Sequence, residues 1–309
     1  MQNLYWKKSD NTTSNLVSTP FESEEKLETY LFKHQDLLQD IFIFHRQIRT
    51  GHKQGIPDML GVDQDGKVCL VELKNVPVAE SILPQILQYA IWAETNPDSI
   101  RALWLEAKDR PEEIEVNWEN MELRIIVVGP EYHSNVLRMT RRINYAIELH
   151  VLKRFVYEKD ELILMDLLEE QAAPKIGITT AMGVYDAQFY EENHGKEPTA
   201  NFMKTVQDIE ALVAKNGQIL EKKFNKRYIA FRYGTSNAFT VHWDGTKAWS
   251  VMFRVPEAFA AKFSSPHWNY LRYDAGWKVA IFRPVDPKAP KVSEIEPLIS
   301  KAYEAQLGK

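Results

Sequence analysis

Two short apolar runs flank a turn at residues 64–66, and each carries a carboxylate toward its open end. The runs read Pro57-Asp58-Met59-Leu60-Gly61-Val62-Asp63 and Lys67-Val68-Cys69-Leu70-Val71-Glu72-Leu73-Lys74. Between them, Gln64-Asp65-Gly66 makes a three-residue hairpin loop, with glycine where a left-handed backbone is wanted. Closing the turn there pairs Asp63 with Lys67 and, by continuation, Asp58 with Glu72. Opposed residues of a hairpin hold their Cβ atoms about 4.5–5.5 Å apart on one face. Lys74 lies two residues beyond Glu72 and points the same way, while Cys69, Val71 and Leu73 face the other side as core. Charges buried on such a hairpin are costly unless they are paired or hold a cation.

Two close carboxylates repel unless a proton or a cation relieves them. A hard divalent cation suits the pair, because Mg²⁺ takes one or two carboxylates and keeps several waters. A neighbouring lysine suits a phosphate substrate and can orient or deprotonate an attacking water. The plainer alternative is a hairpin whose Glu72-Lys74 face is merely solvated. Gln85 and Tyr89 stand four residues apart in a stretch that reads as helix through Glu94, so they share one helix face. Both are uncharged donors able to reach a phosphate or a metal-bound water, and a surface glutamine beside a half-buried tyrosine is the ordinary alternative. Upstream, Ser23-Glu24-Glu25-Lys26-Leu27-Glu28 starts a helix with serine as N-cap and acidic residues in the first turn. Leu27, Leu31, Leu37 and Leu38 give that helix a core-facing stripe.

An acidic helix, a Pro-Asp strand, a Glu-x-Lys strand and a Gln-x-x-x-Tyr helix, in that order, resemble the PD-(D/E)xK nuclease superfamily. The Gln-x-x-x-Tyr element is similar to its RecB-like branch, and the whole is most similar to the C-terminal nuclease domain of the NucS endonuclease family. The resemblance rests on Ser23-Glu24, Leu27-Glu28, Thr50-Gly51, Pro57-Asp58-Met59-Leu60-Gly61, Asp65-Gly66, Leu70 to Lys74, Gln85 and Tyr89, and spans residues 20–170. It implies an α/β fold, a restriction-endonuclease-like core with a mixed sheet flanked by helices. It implies Asp58 and Glu72 as ligands of Mg²⁺ or Mn²⁺, helped by the Leu73 carbonyl, and Lys74 as the residue that positions or activates water. Gln85 and Tyr89 would support the site near the scissile phosphate. The helix glutamate is Glu24 by alignment, with Glu25 and Glu28 left open. The NucS N-terminal DNA-binding domain has no counterpart before the motif, so its mismatch or flap specificity does not carry over.

Composition agrees with an ordinary globular chain: 309 residues, 44% hydrophobic, with one cysteine. That leaves no internal disulfide framework and no cysteine-based zinc site. No 18-residue apolar run is present and the start lacks the apolar core of a signal peptide, so a cytoplasmic protein without membrane contact is expected. No P-loop or Gly-x-Gly-x-x-Gly cradle is present, which argues against intrinsic ATP hydrolysis. The formal net charge of −5 speaks against a nonspecific nucleic-acid coat, yet residues 221–283 carry eleven Lys/Arg against four Asp/Glu. Aromatic residues alternate through that stretch, either to stack on bases or to build a core. Arg46, Arg49, His52 and Lys53 precede the Pro-Asp strand, and Arg138, Arg141 and Arg142 lie on a later helix; these are candidates to line a nucleic-acid groove.

Breakers and periodicity predict a loose segment over 1–20, an α/β domain over 21–170 that the resemblance makes the nuclease domain, a linker with a short helix over 171–200 and a smaller α+β domain over 201–309. Within the first domain, 102–106 reads as a strand and 131–144 as a helix. The second domain resembles an uncharacterised α+β module that accompanies some NucS-like nucleases. The function implied is a Mg-dependent DNA endonuclease in repair or in defence against foreign DNA, with nucleic acid, DNA in first place, as partner and a homodimer allowed. The alternatives are a non-catalytic nucleic-acid-binding module or a protein-interaction module on a nuclease fold.

Overall fold

The computed structural model describes residues 4–7, 9–38, 40–46, 56–171, 185–234 and 236–308. Arg49 and Lys53, with Thr50, Gly51 and His52, lie outside the described residues, as does 172–184 of the expected linker. The chain divides into two compact units, one of residues 1–107 with 116–180, the other of 108–115 with 181–309.

The first unit opens with β1 (Leu4–Lys7) and β2 (Thr13–Leu16), paired antiparallel, in place of the expected loose segment. Helix α1 (Glu24–Lys33) starts as predicted, with the Ser23 side chain accepting from Lys26 N–H at 3.2 Å. A 3-10 turn (Gln35–Leu38) leads into β3 (Ile41–Arg46), β4 (Met59–Asp63) and β5 (Val68–Leu73), followed by α2 (Ile82–Thr95) and α3 (Pro97–Glu106). Then come β6 (Leu123–Gly129), the short α4 (Ser134–Thr140), β7 (Ala146–Tyr157) and β8 (Asp160–Gln171). The six strands β3 to β8 form one mixed sheet in sequence order, antiparallel except for the parallel β5–β6 and β6–β7 pairs. This α/β layering, with helices over a mixed sheet, is compatible with the expected nuclease core.

Alternation decides which way each hairpin residue faces. Leu60, Val68 and Leu70 pack with Ile82, Ile86 and Tyr89 of α2, and Met59, Cys69, Val71 and Leu73 pack with Leu27 and Leu31 of α1. Gly61 is on the α1 side because a Cβ there would stand 2.5 Å from Ile41 Cγ2 and 3.1 Å from the Phe42 carbonyl. At the turn end, the largely buried Arg124 grips Glu148 through two nitrogens at 2.7 and 2.9 Å and lies 3.3 Å from Asp40 and 3.4 Å from Asp63. Its neighbours supply the compensation a buried guanidinium requires.

Residues 102–106 are the second half of helix α3, not a strand. Pro97 occupies the first turn, where its missing N–H costs nothing, and Ile100 and Trp104, four apart, are the buried stripe. The helix expected over 131–144 is confined to the seven residues of α4.

In the second unit α5 (Ala187–His194) lies where a short helix is expected within the linker span, and α6 (Lys196–Lys215) starts five residues before the expected 201. Strands β9 (Glu221–Phe224), β10 (Tyr228–Tyr233), β11 (Ser236–Asp244), β12 (Ala248–Phe253), β13 (Trp268–Asp274) and β14 (Val279–Pro284) form an antiparallel sheet in the order β13-β14-β12-β11-β10-β9. The one-turn helix α7 (Glu257–Ala260) precedes β13, and α8 (Glu296–Gln306) closes the chain. The aromatic alternation is resolved in favour of a core. Phe231, Phe239, Trp243, Trp249, Phe253 and Trp268 all pack with α6 and α8 residues such as Phe202, Ile209 and Leu298. No helix among the described residues is long and apolar enough to cross a membrane.

Candidate active site

The hairpin register is the one the turn requires. Met59 pairs with Val71, Leu60 with Leu70, Gly61 with Cys69 and Val62 with Val68, so continuation sets Asp58 opposite Glu72. Asp63 N–H donates to the Lys67 carbonyl, and Gly66 takes the left-handed turn position at φ 81°. Both carboxylates therefore lie on the α2 side of the sheet, and both are buried. Asp58 is 5% exposed and Glu72 1%.

Asp58 Oδ2 accepts from the Leu73 N–H at 2.9 Å, which binds the two strands across the carboxylate pair. Glu72 Oε1 accepts from Lys74 Nζ at 2.5 Å and from Gln85 Nε2 at 2.6 Å. The same Gln85 nitrogen lies 2.5 Å from Tyr89 Oη. Gln85 and Tyr89 thus turn toward Glu72, as their shared helix face predicts, and Tyr89 is largely buried. Glu72 Oε2 is buried with no hydrogen bond of ordinary geometry, although the Tyr89 hydroxyl lies close enough to the carboxyl to help stabilise its charge. Burial, then the charge of Asp58, push the Glu72 carboxyl up to about 7 against the pull of Lys74. Burial works to lower the Lys74 ammonium, but Glu72 beside it prevails and the net direction is upward. Burial and the Glu72 charge also raise the Tyr89 phenol, so it stays protonated as a neutral donor.

Of the three helix glutamates, Glu24 is half-buried and its charge acts on Lys74. Glu25 is exposed, whereas Glu28 is 2% exposed and pairs with Arg46 Nε at 2.6 Å. Arg46 stands opposite Met59, one residue from Asp58, at the same end of the sheet. Arg141 and Arg142 are exposed just beyond α4.

Two positioning residues escape sequence reasoning. Asn75 follows the Glu-x-Lys strand and clamps Phe21 twice: its Oδ1 accepts from the Phe21 N–H at 3.1 Å and its Nδ2 donates to the Phe21 carbonyl at 2.7 Å. This fixes the chain entering α1, and with it Glu24, against the end of β5. Gly129, at the end of β6, admits Val78 to a position where a Cβ would be 2.5 Å away. The only cue to either in the sequence is an asparagine directly after the motif lysine and a glycine before Pro130.

With both carboxyls ionised, the trio Asp58, Glu72 and Lys74 carries one net negative charge, and Glu72 Oε2 marks where a cation would relieve it. Oxygen donors only, two of them carboxylates, fit a hard cation such as Mg²⁺ or Mn²⁺. Among the described residues no three His, Cys, Asp or Glu side chains group as a metal-holding set. Water and the Leu73 carbonyl would have to complete the coordination.

No family model matches the chain, and no curated protein matches it. A search of solved structures finds a likeness to the crystal structure of a repair endonuclease from Pyrococcus abyssi, at 21% identity and a TM-score of 0.27. It covers 44% of this chain and 49% of that one, so the chain spans about half the length of the structure it matches.

Proposed function

We propose that the protein is a metal-dependent nuclease, a DNA endonuclease acting in repair or in defence against foreign DNA. The observation that carries the reading is the buried Asp58–Glu72 pair, with one Glu72 oxygen held by Lys74 and Gln85 and the other without a hydrogen bond of ordinary geometry. A purely structural hairpin has no use for that arrangement, because apolar residues of similar size would be cheaper to bury. A Mg²⁺ or Mn²⁺ ion on Asp58, Glu72 and the Leu73 carbonyl would polarise a phosphodiester and acidify a water.

The remaining work falls to the chain itself. Lys74, whose ammonium the Glu72 charge favours, would orient the attacking water and the phosphate by donating hydrogen bonds. Gln85 holds Glu72 in one rotamer and, with the protonated Tyr89 hydroxyl, presents uncharged donors beside the phosphate. Phosphate contacts of this kind position a substrate without reading its sequence. Arg46, braced by Glu28, adds positive charge at the same sheet end. The test is to incubate the purified protein with single-stranded, duplex, forked and mismatched DNA and with RNA, in Mg²⁺, Mn²⁺ or EDTA. Cleavage with either ion that EDTA stops and Asp58→Asn abolishes is the expected result. Metal-independent cleavage, or cleavage by Asp58→Asn, refutes the site; binding with no cleavage points instead to a nucleic-acid-binding module on the same fold.

A further inference from the structure

Residues 108–115, Lys-Asp-Arg-Pro-Glu-Glu-Ile-Glu, interrupt the sequence of the first unit yet belong to the second. They form an acidic strap over arginines of the second unit's sheet. Glu113 accepts from Arg272 Nη2, Glu112 lies 3.7 Å from Arg272 Nη1, and Glu115 lies 3.6 Å from Arg227 Nη2. Glu113 and Glu115 are two residues apart, at most about 7 Å of chain. Arg272 is on β13 and Arg227 borders β10, four strands away in the sheet order, or about 19 Å at the usual strand spacing. One short acidic segment thus pairs with arginines at two separate places on the sheet. A seat for its backbone is built in: Gly276, in the β13–β14 turn, has no room for a Cβ, which would stand 2.8 Å from the Asp109 carbonyl and 3.2 Å from Pro111.

The strap is anchored against its own charges. Glu112, Glu113 and Asp274 all surround the one Arg272. Burial and the nearby Asp274 push the Glu113 carboxyl upward. Guanidinium binds a phosphodiester in the same forked geometry as a carboxylate, so the arginines that hold the strap's carboxylates also suit phosphates. A phosphodiester also brings one charge to Arg272 where Glu112 and Glu113 bring two. We infer that Arg227 and Arg272 form a binding site for the phosphate backbone of a single nucleic-acid strand, and that Glu112, Glu113 and Glu115 occupy its place in the free protein. The surrounding stretch, 221–283, is the basic part of an acidic chain.

The experiment uses the full chain in EDTA, with a fluorescent single-stranded oligonucleotide as probe and anisotropy as readout. Its outcome is thus independent of whether Asp58 and Glu72 cut anything. Two variants lift the strap by different means: the triple change Glu112→Gln, Glu113→Gln, Glu115→Gln, and the charge-neutral Gly276→Ala. An intramolecular competitor acts at millimolar effective concentration, so each variant should bind about tenfold tighter. Adding Arg227→Ala and Arg272→Ala should remove the gain. The same three charges neutralised at Glu119, Glu191 and Glu192 should leave affinity near wild type. Equal tightening in that control, or none in either strap variant, overturns the inference. Should the variants not fold, hydrogen exchange on the wild type decides: faster exchange over 108–115 with saturating oligonucleotide supports it, and unchanged exchange overturns it. Release of the strap by a polyglutamate peptide but not by the oligonucleotide overturns it in favour of an acidic protein partner.

Discussion

Replacing Glu72 by glutamine should make the metal-free protein more stable, and more so as pH rises. Glutamine keeps the shape and a carbonyl oxygen for Lys74 and Gln85, and removes only the charge. The Glu72 carboxyl is raised from 4.5 to about 7 by burial and Asp58. Each tenfold change in proton affinity is worth about 1.4 kcal/mol, so ionising this carboxyl in the folded state costs about 3 kcal/mol as an upper bound. A carboxyl raised on folding holds its proton more tightly in the folded than in the unfolded chain. Its contribution is therefore fully present below pH 4.5 and is lost as pH climbs to about 7. The variant escapes that loss. The difference in stability between variant and wild type should be close to zero near pH 4.5 and reach roughly 2–3 kcal/mol at pH 8.

In a unit of this size 1 kcal/mol moves Tm by about 2–4 °C. Thermal unfolding in EDTA should then show the variant several degrees above wild type at pH 8 and level with it at pH 4.5. Adding Mg²⁺ or Mn²⁺ at ten times its dissociation constant should raise the wild type by about 1.4 kcal/mol and leave the variant unmoved. A variant less stable than wild type by the same amount at both pH values refutes the electrostatic reasoning. Equal metal shifts in both proteins refute the assignment of Glu72 as a ligand.

Lys74→Ala should abolish cleavage while the fold persists at some cost in stability, since the ammonium is one-fifth exposed but buried Glu72 loses its cation; single-turnover assays beside circular dichroism test this. Gln85→Ala should slow cleavage of all DNA sequences alike, and a change in sequence preference would count against a purely positioning role. Asn75→Ala should lower cleavage about tenfold with little change in substrate affinity, by freeing the chain at Phe21 and loosening Glu24; unaltered rates would show that the clamp does not matter to the site. Gly61→Ala should destabilise the first unit by about 1–3 kcal/mol, because the new methyl meets Ile41 and a backbone carbonyl, and denaturant unfolding measures it.

The hairpin is legible to the single residue because three local signals agree there. The loop length sets the register, glycine sets the turn, and apolar alternation sets the faces. Asp58, Glu72, Lys74, Gln85 and Tyr89 follow from that register and from helix periodicity. Residues 102–106 mislead because Asn96-Pro97 reads as the end of one helix, whereas it is also the start of the next. The aromatic stretch is ambiguous in principle, since alternation places rings on one face without saying whether helices cover it. Phe202 on α6 and Leu298 on α8 decide that, and both are distant in sequence. The Glu28–Arg46 pair, the Asn75 clamp and the 108–115 strap are long-range contacts of ordinary polar residues, which carry no local pattern.

The cost of the Asp58–Glu72 pair bears on why the rest of the first unit is packed as it is. An excess charge this deeply buried would draw in water or shift the strands apart if the frame were soft. The frame is not soft at that place. Leu70 and Val71 beside Glu72 are at most 1% exposed, and β5 is flanked by β4 and β6 along its length. The ladder even runs on past Glu72, with Lys74 N–H donating to the Val128 carbonyl at 2.8 Å. The hairpin turn is pinned separately by Arg124, so the register cannot slip to carry either carboxylate to the α1 side. Rigid support holds the two carboxylates together against their repulsion, and that repulsion is the free energy a bound cation would recover.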